Sequence, residues 1–470
     1  MKRFVFLMIL TFNLSLLFAV EIQSSAMPKK ESYVMYITPY DFGPAVEKIE
    51  LNLGHAVLFS SVKAEDFDVT VLSNFSDDFS PYRLVKGGRK VLNAYLSDGA
   101  GNPFPERRTG QFVTIVMQIS PNDDLTSPFP STKLIDSGET YGYKIENSKL
   151  GISISHRTAL VCKEVVAFEC KNFVFGEGGD EISMEYASFV PEKKNDNKIP
   201  LIVFFHGMGE SGRNIYKPLL KIKSTALAEE KIQSYFKDGA AVLIPQCPTG
   251  WLEITEKDPF GNRLWAMVDI NGTVNKVMSP VTSFLSKIFV SENSTQNNVV
   301  TPVSYYTVAV KELIDLFVKQ NPQIDVDRIY LGGCSAGGFM TLNMMIQYPD
   351  FFAAGFPICE AFPNERINTK DLLKVSQKPM WFILAENDPT IDPEKYTKPT
   401  VQRLIDLGAE NLHHTYFKSV KDLSGKFFDE DKKNPYEYHG HDSWIYVFND
   451  QVSENGLSLF SWLCAQSNGK

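Results

Sequence analysis

One short stretch decides the fold of this chain, and it reads Arg328-Ile329-Tyr330-Leu331-Gly332-Gly333-Cys334-Ser335-Ala336-Gly337-Gly338. An apolar strand pattern runs into Gly-Cys-Ser-Ala-Gly, and an apolar helical pattern follows at once. This is the context of a nucleophile elbow, in which a serine occupies a tight, strained turn between a strand and a helix. Gly333 and Gly337 flank Ser335 where the two backbones approach closely. The stretch therefore predicts that the Ser335 hydroxyl projects above a sheet at a helix N-terminus.

The length and composition are those of a globular protein large enough for two domains. The chain has 470 residues, of which 43% are hydrophobic and 22% are charged. Its formal net charge is -9, and the sequence contains no block of basic residues. Nucleic-acid-binding proteins usually carry such a basic block, so we expect no nucleic-acid partner.

The N-terminus has the pattern of a signal peptide. Lys2 and Arg3 precede an apolar run over residues 4–18, and small residues follow at Ala19 and at Ser24-Ser25-Ala26. The run is short for a membrane span, which needs about 20 apolar residues. We therefore expect residues 1–26 to be a signal peptide rather than an uncleaved anchor. The mature chain is expected to be secreted or periplasmic, with no integral membrane span.

The cysteines suggest at most one local disulfide. An exported chain permits disulfide bonds, and the chain has six cysteines. Among them, only Cys162 and Cys170 are close enough in sequence to suggest a local bridge. No Cys-x-x-Cys pair is present, so we expect no structural zinc site.

Residues 27–167 have the pattern of an all-β domain. Strand patterns cover residues 33–37, 67–72, 90–96 and 112–119, with turn clusters at 97–103 and 120–124. Short strands separated by frequent turns predict a β-sandwich of immunoglobulin-like architecture. No catalytic cluster is evident in this region.

The pattern changes near residue 170, where strands and helices begin to alternate. Strands are predicted at 184–190, 201–205, 241–244, 380–384 and 414–417, in addition to the elbow strand; a helix is predicted at 303–320, and residues 444–464 are at least partly helical. This alternation predicts a mostly parallel sheet with helices on both faces over residues 171–470. The polar segment 253–300 fits poorly and is interpreted as an insertion, either a lid or a surface excursion.

A serine nucleophile needs a base and a group that orients the base. On this architecture the three follow in the order serine, acid, histidine. The acid is expected in the loop after the strand at 380–384, where Asp388 is the best candidate. Asp392 and Glu386 are alternatives in the same loop.

The base is expected in the histidine-rich loop 438–444. His441 is the preferred candidate and His439 the alternative, whereas His413 and His414 abut a predicted strand. A His-x-His pair can also bind a metal ion, but no suitable third ligand lies nearby in the sequence. We therefore expect neither a metal nor a cofactor.

An oxyanion hole is expected at the loop that follows the strand at 201–205. This loop is rich in glycine and can aim a backbone N–H at a carbonyl oxygen. In this interpretation Met208 supplies one N–H and Ala336 supplies the second. His206 is expected to be structural.

Taken together, five motifs resemble those of the secreted α/β-hydrolase esterases over residues 171–470. They are Phe205-His206-Gly207-Met208-Gly209-Glu210, Pro245-Gln246-Cys247-Pro248, the elbow with the preceding Asp327, Glu386-Asn387-Asp388, and Gly440-His441-Asp442-Ser443-Trp444. With its β-rich N-terminal region, the whole chain resembles thermophilic bacterial esterases that carry an N-terminal immunoglobulin-like domain. The resemblance implies Ser335, Asp388 and His441 as the triad, and short- to medium-chain carboxylic esters as substrates. Cys334 beside the nucleophile and the long segment 253–300 are departures that bear on substrate preference.

The leading hypothesis is a serine carboxylesterase acting on small-molecule or polymer-borne esters. A feruloyl or other polysaccharide esterase is an alternative, as is a prolyl-oligopeptidase-like peptidase, although no β-propeller repeat precedes the hydrolase region. A surface-binding protein built on an inactive hydrolase scaffold is a further alternative. The complete set of triad candidates argues against that last hypothesis.

Overall fold

The structure is a computed structural model, and it describes residues 31–72, 85–105, 108–129, 140–177, 181–192, 195–257, 261–266 and 299–469. The signal peptide expected at residues 1–26 lies outside the described residues. Most of the insertion expected at 253–300 does so too. Within the described residues, no helix is long and apolar enough to cross a membrane.

The N-terminal unit consists of two β-sheets that share one core. Its strands are β1 (Ser32–Tyr40), β2 (Gly43–Leu58), β3 (Asp68–Leu72), β4 (Val85–Arg89), β5 (Val91–Ser97), β6 (Thr109–Met117), β7 (Gly142–Asn147), β8 (Ile152–Ile154) and β9 (Arg157–Val161). The sheet orders are β5-β6-β2-β1-β9 and β4-β3-β7-β8. Between the sheets, the Tyr143 N–H donates a 2.9 Å hydrogen bond to the Tyr33 hydroxyl. The predicted immunoglobulin-like sandwich is confirmed.

The second unit is built on an eight-stranded mixed sheet. Its strands are β10 (Glu169–Phe175), β11 (Ile182–Phe189), β12 (Ile199–Phe205), β13 (Ala241–Gln246), β16 (Ile324–Cys334), β17 (Ala354–Ile358), β18 (Met380–Ala385) and β19 (Leu412–Phe417). Three small two-stranded ribbons pair β14 (Glu253–Lys257) with β15 (Arg263–Trp265), β20 (Val420–Lys421) with β21 (Glu437–Tyr438), and β22 (Ser453–Glu454) with β23 (Leu457–Ser458). The large sheet has the order β10-β11-β13-β12-β16-β17-β18-β19. β10 and β11 pair antiparallel, and the strands from β13 to β19 are parallel. The predicted α/β-hydrolase sheet is confirmed.

The described helices are short apart from two that adjoin the central strands. They are α1 (Tyr216–Leu220), α2 (Glu230–Gln233), α3 (Thr307–Gln320), α4 (Ala336–Gln347), α5 (Thr369–Ser376), α6 (Thr397–Asp406), α7 (Trp444–Phe448) and α8 (Leu459–Cys464). α3 begins four residues later than the pattern predicted. The cause is Ser304, whose hydroxyl donates to the Trp251 carbonyl at 2.7 Å and whose backbone forms a β-bridge with Ile254. These contacts hold the preceding segment extended.

The suggested bridge between Cys162 and Cys170 is wrong, because all six cysteines are free thiols. Cys162 follows β9 and is buried in the core of the N-terminal unit, with its Sγ 3.3 Å from Glu164 Oε2. Cys170 lies on β10, in the sheet of the second unit. Proximity in sequence therefore does not bring the two thiols together.

The two units pack against each other through polar and aromatic contacts. Asp41 Oδ1 accepts hydrogen bonds from Lys223 Nζ at 3.1 Å and from Asn449 Nδ2 at 2.9 Å. The Phe42 ring meets the Phe427 ring edge-on, with centroids 5.1 Å apart. The buried apolar cluster of the sandwich is continuous with that under one face of the large sheet.

Candidate active site

Ser335 occupies a strained elbow between β16 and α4. Its backbone has φ 57° and ψ -119°, in a region that side-chain-bearing residues rarely adopt. A Cβ at Gly333 would overlap the Gly337 carbonyl, and a Cβ at Gly337 would overlap the Phe205 carbonyl. Only glycine fits at these two positions, so the close approach predicted from the sequence is present.

Asp388 and His441 meet at the carboxyl edge of the sheet. Asp388 Oδ2 lies 2.7 Å from His441 Nδ1, and the two side chains are 1% and 12% exposed. The other Asp388 oxygen accepts the N–H groups of Thr390 at 2.8 Å and Ile391 at 3.0 Å. These bonds hold the carboxylate in one orientation, so that it can fix the tautomer of the imidazole and leave the opposite ring nitrogen to take a proton.

Ser335 lies at the same edge, because its N–H donates to the Ile358 carbonyl at the end of β17, the strand next to β18. In the described part of the chain, the Ser335 hydroxyl makes no hydrogen bond. Catalytic hydrogen bonds are often long in the absence of substrate and shorten in the reacting complex. The structure thus brings the three predicted triad residues to one edge, with the acid and the base already paired.

The alternative candidates lie outside the contact between the Asp388 carboxylate and the His441 ring. The side chains of Glu386 and Asp392 are 48% and 43% exposed, and each lies within 4.0 Å of a lysine ammonium. His439 is exposed, and its Nδ1 accepts the His441 N–H at 3.3 Å. His413 and His414 lie within β19, where both approach Glu454.

Each predicted oxyanion donor is the first residue of a helical segment. Met208 opens a single 3-10 turn, Met208–Glu210, directly after β12, and Ala336 opens α4. The first N–H of a helix has no partner within the helix. Among the described residues, neither N–H donates to another group. A Cβ at Gly207 would lie 3.6 Å from Ser335 Cβ, so the Met208 loop lies directly beside the nucleophile.

His206 supports this loop from within the core, as expected. It is fully buried, and its Nε2 accepts the Cys247 N–H at 2.9 Å. Burial lowers the pKa of His206 to about 4, so the ring is neutral at physiological pH. The neutral ring connects the oxyanion loop to the end of β13.

Three acidic residues near the site were not identified as functional candidates by the sequence reasoning. Glu210 lies in the oxyanion loop, Asp442 follows the candidate base, and Glu360 is fully buried after β17. Glu210 and Asp442 stand inside two of the motifs quoted above, which is their only sequence signal, and Glu360 stands outside all five. Such a residue resembles an ordinary solvated loop residue until the packing is known.

One group of described side chains could hold a metal ion: Cys359, Asp388 and His441, with ligand atoms within 4.8 Å of one another. Burial raises the pKa of the Cys359 thiol well above its ordinary value. A protonated thiol is a poor ligand, and a metal on Nδ1 would displace the Asp388 hydrogen bond. The geometry fits an acid–base pair packed against a thiol better than a metal centre.

Two segments of the chain match known sequence families. Residues 32–164 match the esterase Ig-like N-terminal domain, and residues 309–416, which include the elbow, match the prolyl oligopeptidase family. The second unit therefore has the α/β-hydrolase fold, and the unit before it matches the esterase Ig-like N-terminal domain. The matches confirm the resemblance seen in the motifs, and also the predicted enzyme class, serine hydrolase.

Known structures and proteins extend this comparison for the α/β hydrolase. A crystal structure of a thermostable esterase is similar at 20% identity and a TM-score of 0.61, over 93% of this chain and 99% of that chain. At this identity the likeness shows the fold alone. A segment of 51 residues is 45% identical to poly(3-hydroxyalkanoate) depolymerase C of Paucimonas lemoignei. That segment is 11% of this chain, and the chain spans only 12% of the depolymerase.

Proposed function

We propose that this α/β hydrolase cleaves carboxylic esters through an acyl-enzyme formed on Ser335. The observation that carries the proposal is the 2.7 Å contact between Asp388 and His441 at the sheet edge that also holds the strained Ser335. A base held by a buried acid, beside a serine at a helix N-terminus, is the arrangement that activates a hydroxyl for acyl transfer.

In the proposed reaction, the Ser335 hydroxyl attacks the ester carbonyl and His441 accepts its proton. Asp388 holds the imidazole and stabilises its protonated form. The N–H groups of Met208 and Ala336 bind the oxygen that becomes negative in the tetrahedral intermediate. His441 then protonates the departing alcohol, and a water molecule cleaves the acyl-enzyme by the same route in reverse.

We propose short- to medium-chain carboxylic esters as substrates. The esterase description of the matching N-terminal domain supports esters over peptides. So does the sandwich in front of the hydrolase, which takes the place of a repeat-built propeller. The match to a polyester depolymerase gives one specific reason to include a polymer-borne ester as a second candidate. Export by the signal peptide expected at residues 1–26 would suit such a substrate.

The decisive variant is Ser335→Ala. We expect loss of ester hydrolysis by about 10³-fold or more, with the fold intact, because only binding and the oxyanion hole would still contribute. Ser234→Ala is the matched control, since that serine is exposed and its hydroxyl donates to the Lys231 carbonyl on the surface. Near-normal turnover by a folded Ser335→Ala protein would refute the proposed nucleophile.

A substrate panel separates ester hydrolysis from the alternatives. It contains nitrophenyl esters of rising chain length, feruloyl esters, aminoacyl amides and poly(3-hydroxyalkanoate) particles. We expect the highest kcat/KM with nitrophenyl esters of short to medium chain length. A preference for the amides would favour a peptidase, and release of acid from particles alone would favour a polymer substrate.

A further inference from the structure

The segment 358–361, at the end of β17, holds the backbone of the candidate nucleophile from both sides. The Ile358 carbonyl accepts the Ser335 N–H at 2.9 Å, and the Ala361 N–H donates to the Ser335 carbonyl at 3.2 Å. Ser335 has φ 57°, and a strained backbone of this kind persists only where the surrounding structure fixes it. The segment is therefore a support of the strained elbow.

The same segment is strained itself and packs directly against α4. Cys359 has φ 36°, and its N–H donates to the Ile383 carbonyl of β18 at 2.7 Å. A Cβ at Gly338, in the first turn of α4, would lie only 2.7 Å from the Cα and Cβ of Glu360. Because no gap separates the helix from the segment, a shift of the segment would be transmitted to the elbow.

The Glu360 side chain ties this segment to two neighbours. It is fully buried, and its carboxyl oxygens accept the Phe362 N–H at 2.6 Å and the Thr397 hydroxyl at 3.2 Å. The Phe362 ring packs on the Phe339 ring of α4, with centroids 4.5 Å apart. Thr397 is the first residue of α6, which follows the loop that carries Asp388. Burying a carboxyl is costly unless it is hydrogen-bonded, and these two bonds offset that cost.

We propose that Glu360 is a positioning residue that fixes the segment 358–361 and thereby places Ser335 for attack on the substrate. This inference rests on the proposed function, because it assigns Ser335 the role of nucleophile. The bonds of the Glu360 carboxyl go to Phe362 and Thr397 and not to the acid–base pair. Glu360 therefore acts through the backbone of Ser335.

Glu360→Ala should lower kcat and leave KM nearly unchanged. It removes both bonds and lets the strained segment relax, and a misplacement of about 1 Å in a reacting group can cost about 10²-fold in rate. We expect kcat on a nitrophenyl ester to fall roughly 10- to 100-fold. Glu360→Gln keeps an oxygen that can accept the Phe362 N–H, so it should retain most of the wild-type kcat.

Two threonines of α6 provide a matched pair of variants. Thr397→Val removes the hydroxyl that bonds Glu360, and kcat should fall roughly three- to tenfold. Thr400→Val removes an equally buried hydroxyl one turn later. That hydroxyl donates to the Tyr396 carbonyl and to Asn364 Oδ1. Since it does not contact Glu360, the Thr400→Val rate should stay close to that of wild type.

Labelling with a fluorophosphonate separates positioning from a loss of folded protein. The Ser335 oxygen attacks phosphorus, fluoride leaves, and His441 takes the serine proton. The final extent of labelling counts the folded sites, whereas the rate constant reports the placement of the nucleophile. We expect Glu360→Ala and Thr397→Val to label to the wild-type extent but more slowly, and Glu360→Gln and Thr400→Val to label at close to the wild-type rate. A wild-type rate constant at a reduced extent would show only a loss of folded protein and overturn the proposal.

The threonine pair keeps the test decisive if Glu360→Ala does not fold. Equal labelling rate constants for Thr397→Val and Thr400→Val would then overturn the role of Glu360. The proposed function fails in a different way. A wild-type chain that is labelled at Ser335 but cleaves no ester would refute ester hydrolysis, and the labelling rates would still decide whether Glu360 positions the serine.

Discussion

Asp388 Oδ2 lies 2.7 Å from His441 Nδ1 although 53 residues separate them in the chain. The loop after β18 and the loop before α7 meet at this contact. Gly440 makes the meeting possible, because a Cβ there would overlap the Asn387 carbonyl. Gly440, beside the candidate base, thus allows the loop that carries Asp388 to approach His441.

The two histidines of the late loop should differ sharply in their effect on activity. His441→Ala should lower ester kcat by about 10³-fold or more, because it removes the proposed base. His439→Ala should retain most of the activity, since that ring is exposed and, among the described residues, accepts one hydrogen bond, from the His441 N–H. Steady-state kinetics on one nitrophenyl ester compares the two, and the reverse ranking would move the base to His439.

The acids of the β18 loop should also be distinguishable. Asp388→Asn should lower kcat by about 10³- to 10⁴-fold, because an amide oriented by the same N–H groups favours the wrong imidazole tautomer. Asp392→Asn should change the rate little, since that carboxylate lies 3.4 Å from the Lys395 ammonium and is 43% exposed. The same kinetic assay serves both variants. A larger loss from Asp392→Asn would show that the acid is misassigned.

Glu360 should make the stability of the fold depend on pH. Burial raises the pKa of the Glu360 carboxyl to about 8, although hydrogen bonds from the Phe362 N–H and the Thr397 hydroxyl act to lower it. The folded chain therefore holds the proton more tightly than the unfolded chain. Protonated Glu360 therefore contributes fully to stability below its pKa in the unfolded chain, which is about 4.3. This contribution is lost as the pH rises towards 8.

Glu360→Gln should remove this dependence, because its amide cannot ionise and its oxygen can still accept the Phe362 N–H. Relative to wild type, the melting temperature of the variant should rise more at pH 9 than at pH 5. Differential scanning calorimetry at both values measures the difference. Glu394→Gln is the control, since that side chain is 71% exposed. A parallel shift at both pH values would argue against ionisation as the cause.

Asp41 should contribute to stability through the contact between the two units. Its side chain is 6% exposed and accepts hydrogen bonds from Lys223 and Asn449 across the interface. Asp41→Ala should cost about 1–3 kcal/mol, because it removes one acceptor that two partly buried donors share. Thermal unfolding measures the loss.

The matched control for this prediction lies within one unit. Asp371→Ala removes a carboxylate that pairs with Lys374 on the surface of α5, where exposed ion pairs contribute about 0–1 kcal/mol. An equal change in melting temperature for the two variants would show that the interface contact contributes no more to stability than an exposed ion pair does.

The sequence by itself determined the features that depend on local sterics and periodicity. The elbow was predictable because two glycines are required wherever a strand and a helix cross so closely, and Gly333 and Gly337 stand at the required spacing. The apolar run of β12 and the alternation of strands and helices also predicted the sheet, because side-chain size and polarity repeat with the geometry of each element.

Only the tertiary structure decided which side chains meet. Asp388, Asp392 and Glu386 share one loop and one charge, and what separates them is the direction in which the packed loop turns each carboxylate. Gly440 and Asn387 lie on segments far apart in the chain, so no local pattern indicated that their backbones meet. Contacts of this kind depend on the packing of whole elements, in which burial removes water from a few charges and leaves the others solvated.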